Sequence, residues 1–333
     1  MRRWLIVALL GLATAGAVAY EYWQLFRVPL PVGGKAVMFD VAPGDSLREV
    51  ANQLHARGVV RQPLQLVLLG RIRGKGSDIK AGEYRIESGT TLEGLLDTLV
   101  GGRVYLHSFT IIEGWTFHQL RQALDAEPAL THKLAGLDDA RIIRQLGLDG
   151  REPEGLFMPD TYRFPKGTSD IAFLRRAHRA MSDFLEQVWP GRDRNLPFHS
   201  RYDALILASI VEKETALESE RGRIAGVFVR RLRRGMRLQT DPTVIYGLGP
   251  DFSGDIRFRD LTHDTPYNTY TRRGLPPTPI CMPSRASIRA VLHPEAGDAL
   301  YFVAKGDGSH KFSATLEEHN RAVRKYQKHQ SGD

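Results

Sequence analysis

The chain is 333 residues long, 42% hydrophobic and 25% charged, an ordinary globular composition with room for about two domains. Its formal net charge of +8 points toward an anionic partner, but the absence of zinc-finger spacing, an RNA-recognition motif or a basic helix interleaved with aromatics argues against nucleic acid. The single cysteine, Cys281, excludes an internal disulfide, and its Pro-rich setting (PPTPICMP, no His nearby) argues against a catalytic thiol.

Residues 1–23 carry Arg2 and Arg3 ahead of an uncharged apolar run from Trp4 to Tyr20. Trp4 marks one edge of that run, and Tyr20, Tyr22 and Trp23 mark the other. This pattern predicts a single-pass transmembrane helix with its N-terminus in the cytoplasm and the rest of the chain outside. A cleaved signal peptide, with Ala17-Val18-Ala19 as the processing site, is the competing reading. The aromatics that continue past that site favour the anchor. Residues 24–36 (QLFRVPLPVGGKA) read as a linker.

From residue 37 to about 125 one pattern recurs. Val41 to Leu47, Ile86 to Leu92 and Ile111 to Phe117 each run from a short strand through a Gly turn to a Ser or Thr able to cap, followed by an amphipathic helix. The first unit adds a second helix near Gln62–Arg71 and a strand at Gly82–Ile86. This β-α-α-β unit, assigned to 37–102, resembles a LysM-like module, a fold associated with N-acetylglucosamine-containing glycans. A plain spacer remains the other reading.

Residues 126–153 look helical and polar, and 154–164 (EGLFMPDTYRF) read as a packed connector or the wall of a sugar site. A well-patterned amphipathic helix is expected over 170–189, with His178 on its polar face. Ser200 and Asp203 form a capping pattern ahead of the next apolar run, so a helix starts there. Leu207, Ile210, Val211 and Glu214 share one face of it, and Glu212 is turned roughly 200° from Glu214. Glu214 therefore lies on an apolar stripe near a helix C-terminus, where both surroundings and dipole disfavour ionisation. That suits a general acid that must hold its proton near neutral pH, although a solvated or paired carboxylate is the plainer reading.

A second helix is expected over Ser219–Arg234, with Ile224, Val227, Phe228 and Leu232 inward and Gly235 as its stop. The cluster Arg230, Arg231, Arg233, Arg234 and Arg237 reads as a solvated face. Asp241, ahead of Pro242, is a second candidate carboxylate, with a turn or cap role as the alternative. Tyr267-Asn268-Thr-Tyr270 combines ring faces and amides of the kind a sugar groove uses, and GLPPTP (274–279) would hold such a groove rigid. A hairpin around Tyr301–Phe312 and a final helix complete the chain. His310 is a candidate to reach a site, a structural role being the commoner one for a lone His.

The set SIVEKET (209–215), RLRRGMRLQTDPTVIYG (231–247), YNTY (267–270), GLPP (274–277) and EGLFMPDTYRF (154–164) resembles the endolytic murein transglycosylase, or YceG-like, family. The resemblance covers most of the chain. It implies an α+β protein with a transmembrane helix (1–23), a linker (24–36), a LysM-like module (37–102) and a mixed helical and strand catalytic domain (103–333). It further implies a single-pass protein of the cell inner membrane with its catalytic domain on the periplasmic side. The reaction would be cleavage between N-acetylmuramic acid and N-acetylglucosamine of nascent peptidoglycan strands without water, leaving a 1,6-anhydro end and limiting strand length. Peptidoglycan synthases are the implied partners, and no cofactor or metal is expected.

Ile210 to Thr215 is similar to the Glu-Ser motif of other lytic transglycosylases and maps the catalytic role onto Glu214, with Glu212 as the alternative. Asp241, Tyr246, Tyr267, Asn268 and Tyr270 are the candidates for lining the cleft. Because Glu212 and Glu214 point apart, they cannot flank one bond as a two-carboxylate mechanism requires, whereas a lytic reaction needs only one. A hydrolytic muramidase using Asp241 as second carboxylate and a non-enzymatic wall-binding scaffold are the rival readings.

Overall fold

The structure is a computed structural model and describes residues 2–148, 150, 152–249 and 252–326. It divides into two units, Met1–Ser108 with Arg163–Gly167, and Phe109–Tyr162 with Thr168–Asp333.

Helix α1 (Arg2–Phe26) opens the first unit. Within Trp4–Phe26 its most apolar window has mean hydropathy 1.7 and is unburied, long and apolar enough to cross a membrane. Then come β1 (Val37–Val41), α2 (Leu47–Ala56), α3 (Pro63–Ile72), β2 (Gly82–Ile86) and α4 (Leu92–Val100). The expected β-α-α-β order is present, and β1 pairs antiparallel with β2 in the register Phe39↔Tyr84. Alternation puts those two rings on the inner face, both fully buried. Ser46 starts α2 through a reciprocal capping box with Glu49, and the Thr91 hydroxyl accepts the Gly94 N–H to start α4.

The linker expectation for residues 24–36 needs correction. Phe26 and Val32 are buried in the core of this unit, and Leu30 N donates to Thr90 O at 2.8 Å. Pro29 forms a bridge with Thr91. Phe26, Leu30 and Val32 are apolar enough to be drawn onto the core, so the end of α1 is docked rather than tethered.

The chain continues with β3 (Leu106–Thr110), α5 (Phe117–Asp125), β4 (Leu130–Thr131), α6 (Asp139–Leu146), β5 (Thr161–Pro165), β6 (Thr168–Ser169) and α7 (Asp170–Val188). Over 126–153, expected to be helical and to end in a loop, the described residues form helix only in α6. Helix α5 stops at Asp125, two residues before the Glu127-Pro128 pair, because a residue before proline is pushed out of helical geometry.

Helix α8 (Arg201–Glu214) starts at the predicted Ser200–Asp203 capping box. It is buried on every side from Ala204 to Val211, not along a single stripe, because α9 (Glu218–Arg233), α10 (Asp241–Leu248) and α12 (Arg285–Leu292) all pack around it. Between α10 and α12 lies the short α11 (Phe258–Thr262). The hairpin β7 (Tyr301–Ala304) and β8 (His310–Ser313) and the helix α13 (Leu316–Tyr326) follow.

The arginine cluster of α9 is not a solvated face throughout. Arg231 is buried: its Nε donates to Leu300 O at 2.7 Å and its guanidinium NH1 donates to Leu238 O at 2.6 Å. Arg230 similarly holds the Ala299 and Glu295 carbonyls. These side chains hold the stretch leading into the strand hairpin against α9 by donating to its backbone oxygens.

Candidate active site

The site is built where α8 ends and α10 begins. Glu214 is the last residue of α8, and the chain leaves it in extended conformation at Thr215. Thr240 occupies the N-cap position of α10 without capping it; its hydroxyl donates instead to Glu214 Oε1. Thr240 is itself fixed by its N–H bond to Thr269 Oγ1 at 3.1 Å. The preceding residue, Gln239, sits at φ +49°, a left-handed conformation that costs a side chain other than Gly about 1 kcal/mol or more.

Glu214, Asp241, Tyr270, Arg231, Tyr301 and His310 line a common cavity of about 480 Å³. Burial raises the Glu214 carboxyl to about 7, and the Asp241 charge adds to the rise, against the opposing Thr240 hydrogen bond. The Tyr270 hydroxyl donates to Asp241 Oδ1 at 2.6 Å. Burial, then this bond, pushes the phenol far above its ordinary value, so Tyr270 remains a donor at neutral pH. One wall therefore carries a protonatable carboxyl, an exposed carboxylate and a phenol, on rings able to meet a sugar face.

Glu212 faces the other way. Its Oε2 accepts from Ser284 N at 2.9 Å, Ser284 Oγ at 2.5 Å and Ser287 Oγ at 2.6 Å. It thereby anchors the N-terminus of α12, where the helix dipole favours a negative charge. The two carboxylates two residues apart thus serve opposite sides of α8.

The remaining sequence candidates separate. Asp241 and Tyr270 join Glu214. Tyr246 and Tyr267 do not line that cavity: their rings meet edge to face at 4.9 Å, Tyr246 OH donates to Glu154 Oε2 at 3.1 Å, and Tyr267 OH pairs with Thr278 Oγ1 at 2.9 Å. Asn268 is buried and braces its own loop, its Nδ2 donating to the carbonyls of Asp260, Leu261 and His263 while its Oδ1 accepts the Tyr270 N–H at 2.8 Å. Its amide is spent on aiming Tyr270. Cys281 is buried with Sγ donating to Ser209 O, and burial pushes its thiol well up.

Two buried carboxylates, Glu154 and Glu220, carry no role in the sequence reading. Glu154 is buried and accepts the Phe117 N–H through both oxygens at 3.0 and 3.1 Å, closing the start of α5; burial raises it to about 7. Gly155, at φ +77°, lets this segment lie on the Pro-rich loop, where an added Cβ would come within 2.5 Å of Pro279 Cβ. Glu220 accepts His310 Nδ1 at 2.6 Å and the His310 backbone N–H at 3.0 Å. Nδ1 is thus spent on Glu220, and the His310 ring is held in place where it lines the cavity. Neither Glu has a local motif; their partners lie 37 and 90 residues away.

Comparison with known proteins places this geometry in context. The model of the YceG-like family matches residues 39–325. The chain is 31% identical over 327 residues to the endolytic murein transglycosylase of Bacillus subtilis, covering 92% of this chain and 90% of that protein. It is 28% identical over 354 residues to the endolytic murein transglycosylase of Streptococcus pneumoniae D39, covering 96% of this chain but only 63% of the relative. A crystal structure of a YceG-like protein from Listeria monocytogenes superposes with a TM-score of 0.54 at 30% identity, covering 87% of this chain and 99% of that one.

Proposed function

The chain belongs to the YceG-like family, and from that premise we propose that it is an endolytic transglycosylase that cuts peptidoglycan strands with Glu214 as its acid. The observation that carries the assignment is the Glu214 carboxyl, raised to about 7 at the wall of a cavity it shares with Asp241 and Tyr270. Glu214 enters protonated and gives its proton to the bridging oxygen as the bond from the muramic acid C1 to that oxygen breaks. The resulting carboxylate takes the proton of the same sugar's 6-hydroxyl as O6 bonds to C1. The leaving strand keeps one proton, Glu214 recovers one, and no water enters, so the product ends in 1,6-anhydro-N-acetylmuramic acid. Tyr270 and Asp241 would bond sugar hydroxyls beside the scissile bond, a reading supported by their sharing the cavity with Glu214, and Asn268 holds the Tyr270 backbone in position.

The same premise extends to organisation. Helix α1 is read as a single-pass inner-membrane anchor, Arg2 and Arg3 favouring a cytoplasmic N-terminus and a catalytic body on the periplasmic side. The β1-α2-α3-β2 unit is read as LysM-like. Cleavage of nascent strands in this position would end their elongation beside the synthases that make them.

Mass spectrometry of the products of purified protein and glycan strands tests the reaction. Anhydro ends, lighter by one water than reducing ends, are expected. Reducing ends would transfer the reaction to a hydrolytic mechanism with Asp241 as second carboxylate, and binding without any cleavage would favour a scaffold.

A further inference from the structure

Helix α3 has apolar side chains on both faces. Leu66 and Leu69 are buried in the core of the first unit, yet Leu64, Leu68 and Ile72 on the opposite face are 72%, 49% and 58% exposed. Their spacing of four residues puts these three side chains in one stripe along the helix. Arg71, seven residues after Leu64 and so on its side of the helix, is exposed, Arg61 is exposed just ahead of the helix, and the helix, PLQLVLLGRI, has no acidic residue. A helix apolar all round is normally covered all round. Here the described residues cover one side only.

The position of α3 within its unit indicates what meets the other side. Helix α3 packs against α1. Tyr22 OH and the Arg73 guanidinium both donate to Glu93 Oε1, at 2.6 and 2.7 Å, and Arg27 Nε donates to Glu93 Oε2 at 3.0 Å. Arg73 is the residue that ends α3, directly after Ile72. Tyr22 stands between the exposed rings of Tyr20 and Trp23, the aromatic edge of the apolar run of α1, which is the level of a membrane–water interface. Glu93 therefore clamps the C-terminal end of α3 at that level, and the buried Phe26 keeps α1 from swinging away.

Resting on the reading of α1 as an anchor, we propose that the Leu64–Leu68–Ile72 face of α3 is a second membrane contact, lying in the lipid headgroup region beside α1. The flanking arginines meet anionic headgroups while the apolar stripe enters the boundary with the acyl chains. Ile72 sits deepest, being nearest the Tyr22 clamp. The consequence is a first unit held at a fixed height and orientation on the bilayer, not one free to move on a tether.

The test uses the full-length protein reconstituted into vesicles of zwitterionic and anionic phospholipid. Single cysteines at positions 10, 68 and 72 carry an environment-sensitive fluorophore, with the buried Cys281 left native. Lipids bearing a nitroxide near the headgroup or at mid-chain, and aqueous iodide, serve as quenchers. The expected result is that the nitroxide quenches the label at 72, and less strongly that at 68, by at least about twofold, with both shielded from iodide. Quenching of labels 68 and 72 by iodide alone, with label 10 still reached by a mid-chain nitroxide, overturns the proposal and leaves the anchor standing. Labels 68 and 72 shielded from both quenchers would mean that protein covers the stripe, which also overturns it. If label 10 itself escapes lipid quenching, it is the anchor reading that fails.

Discussion

The Thr240 hydroxyl, at the N-cap of α10, gives its hydrogen bond to Glu214 Oε1 and leaves its own helix uncapped. This bond opposes the burial that raises the Glu214 carboxyl to about 7. Thr240→Val removes the donor at nearly constant volume, so the carboxyl should rise further and hold its proton to higher pH. The alkaline limb of the kcat/KM profile for strand cleavage should move upward, with the acid limb less affected. An unshifted limb would mean that Glu214 is not the acid whose titration limits the rate.

Glu214→Gln retains the shape of the side chain and cannot donate a recoverable proton. Cleavage should fall by at least about 1,000-fold, reading the loss of an acid and of the base it becomes as two successive proton-transfer terms. The far-UV circular dichroism spectrum and the melting temperature should stay near those of the parent protein, because removing a buried titratable carboxyl relieves desolvation.

Glu212→Gln should behave in the opposite way. The carboxylate satisfies the Ser284 N–H and hydroxyl and the Ser287 hydroxyl at the start of α12, and amide substitution removes the charge from that cluster. A loss of about 2 kcal/mol in denaturant-derived stability is expected, with kcat largely retained. Retained stability with lost cleavage would move the acid role to Glu212.

These contrasts also mark how far the amino-acid pattern reaches. Ser46, Thr91, Thr116 and Ser200 announced their helices because capping is local, a bond between groups three residues apart. The opposite directions of Glu212 and Glu214 followed from helix geometry alone. The placement of Tyr246, Tyr267 and Asn268 did not: YNTY looks like a sugar-facing set, yet only Tyr270 reaches the cavity, since the loop spends the Asn268 amide on its own carbonyls. Arg231 was equally opaque, because the Leu300 oxygen it holds is brought in by a hairpin 69 residues away.

The Glu220–His310 pair yields a prediction that separates charge from shape. Glu220→Gln keeps the shape of the side chain and removes its charge, so the His310 ring loses a charged partner while a hydrogen-bonding one stays in place. A reduction of about 10-fold to 100-fold in kcat/KM is expected if that pairing sets how the His310 ring meets the substrate in the cavity, with a melting temperature close to the parent. His310→Gln should lose at least as much. Equal activity in all three proteins would reduce the pair to a brace between α9 and β8.

Glu154 makes the stability of the second unit depend on pH. Burial, the largest cause, raises its carboxyl from the ordinary 4.5 to about 7 despite the Phe117 and Tyr246 hydrogen bonds. Between those values the folded protein holds a proton that the unfolded chain has released, so stability declines as pH rises through this interval and levels off above it. The contribution is at most about 3.5 kcal/mol, from roughly 1.4 kcal/mol for each pH unit of displacement. Glu154→Gln removes this titration. Urea unfolding across the same pH range should show a shallower decline in the variant, with the difference between the two curves growing from pH 4.5 to about 7 and constant beyond. Glu214, raised for the same reason, titrates in both proteins and cancels from that difference. Parallel curves would mean that the carboxyl of Glu154 ionises in the folded protein as readily as in water, and the Phe117–Glu154–Tyr246 link would then be an ordinary surface-like cap.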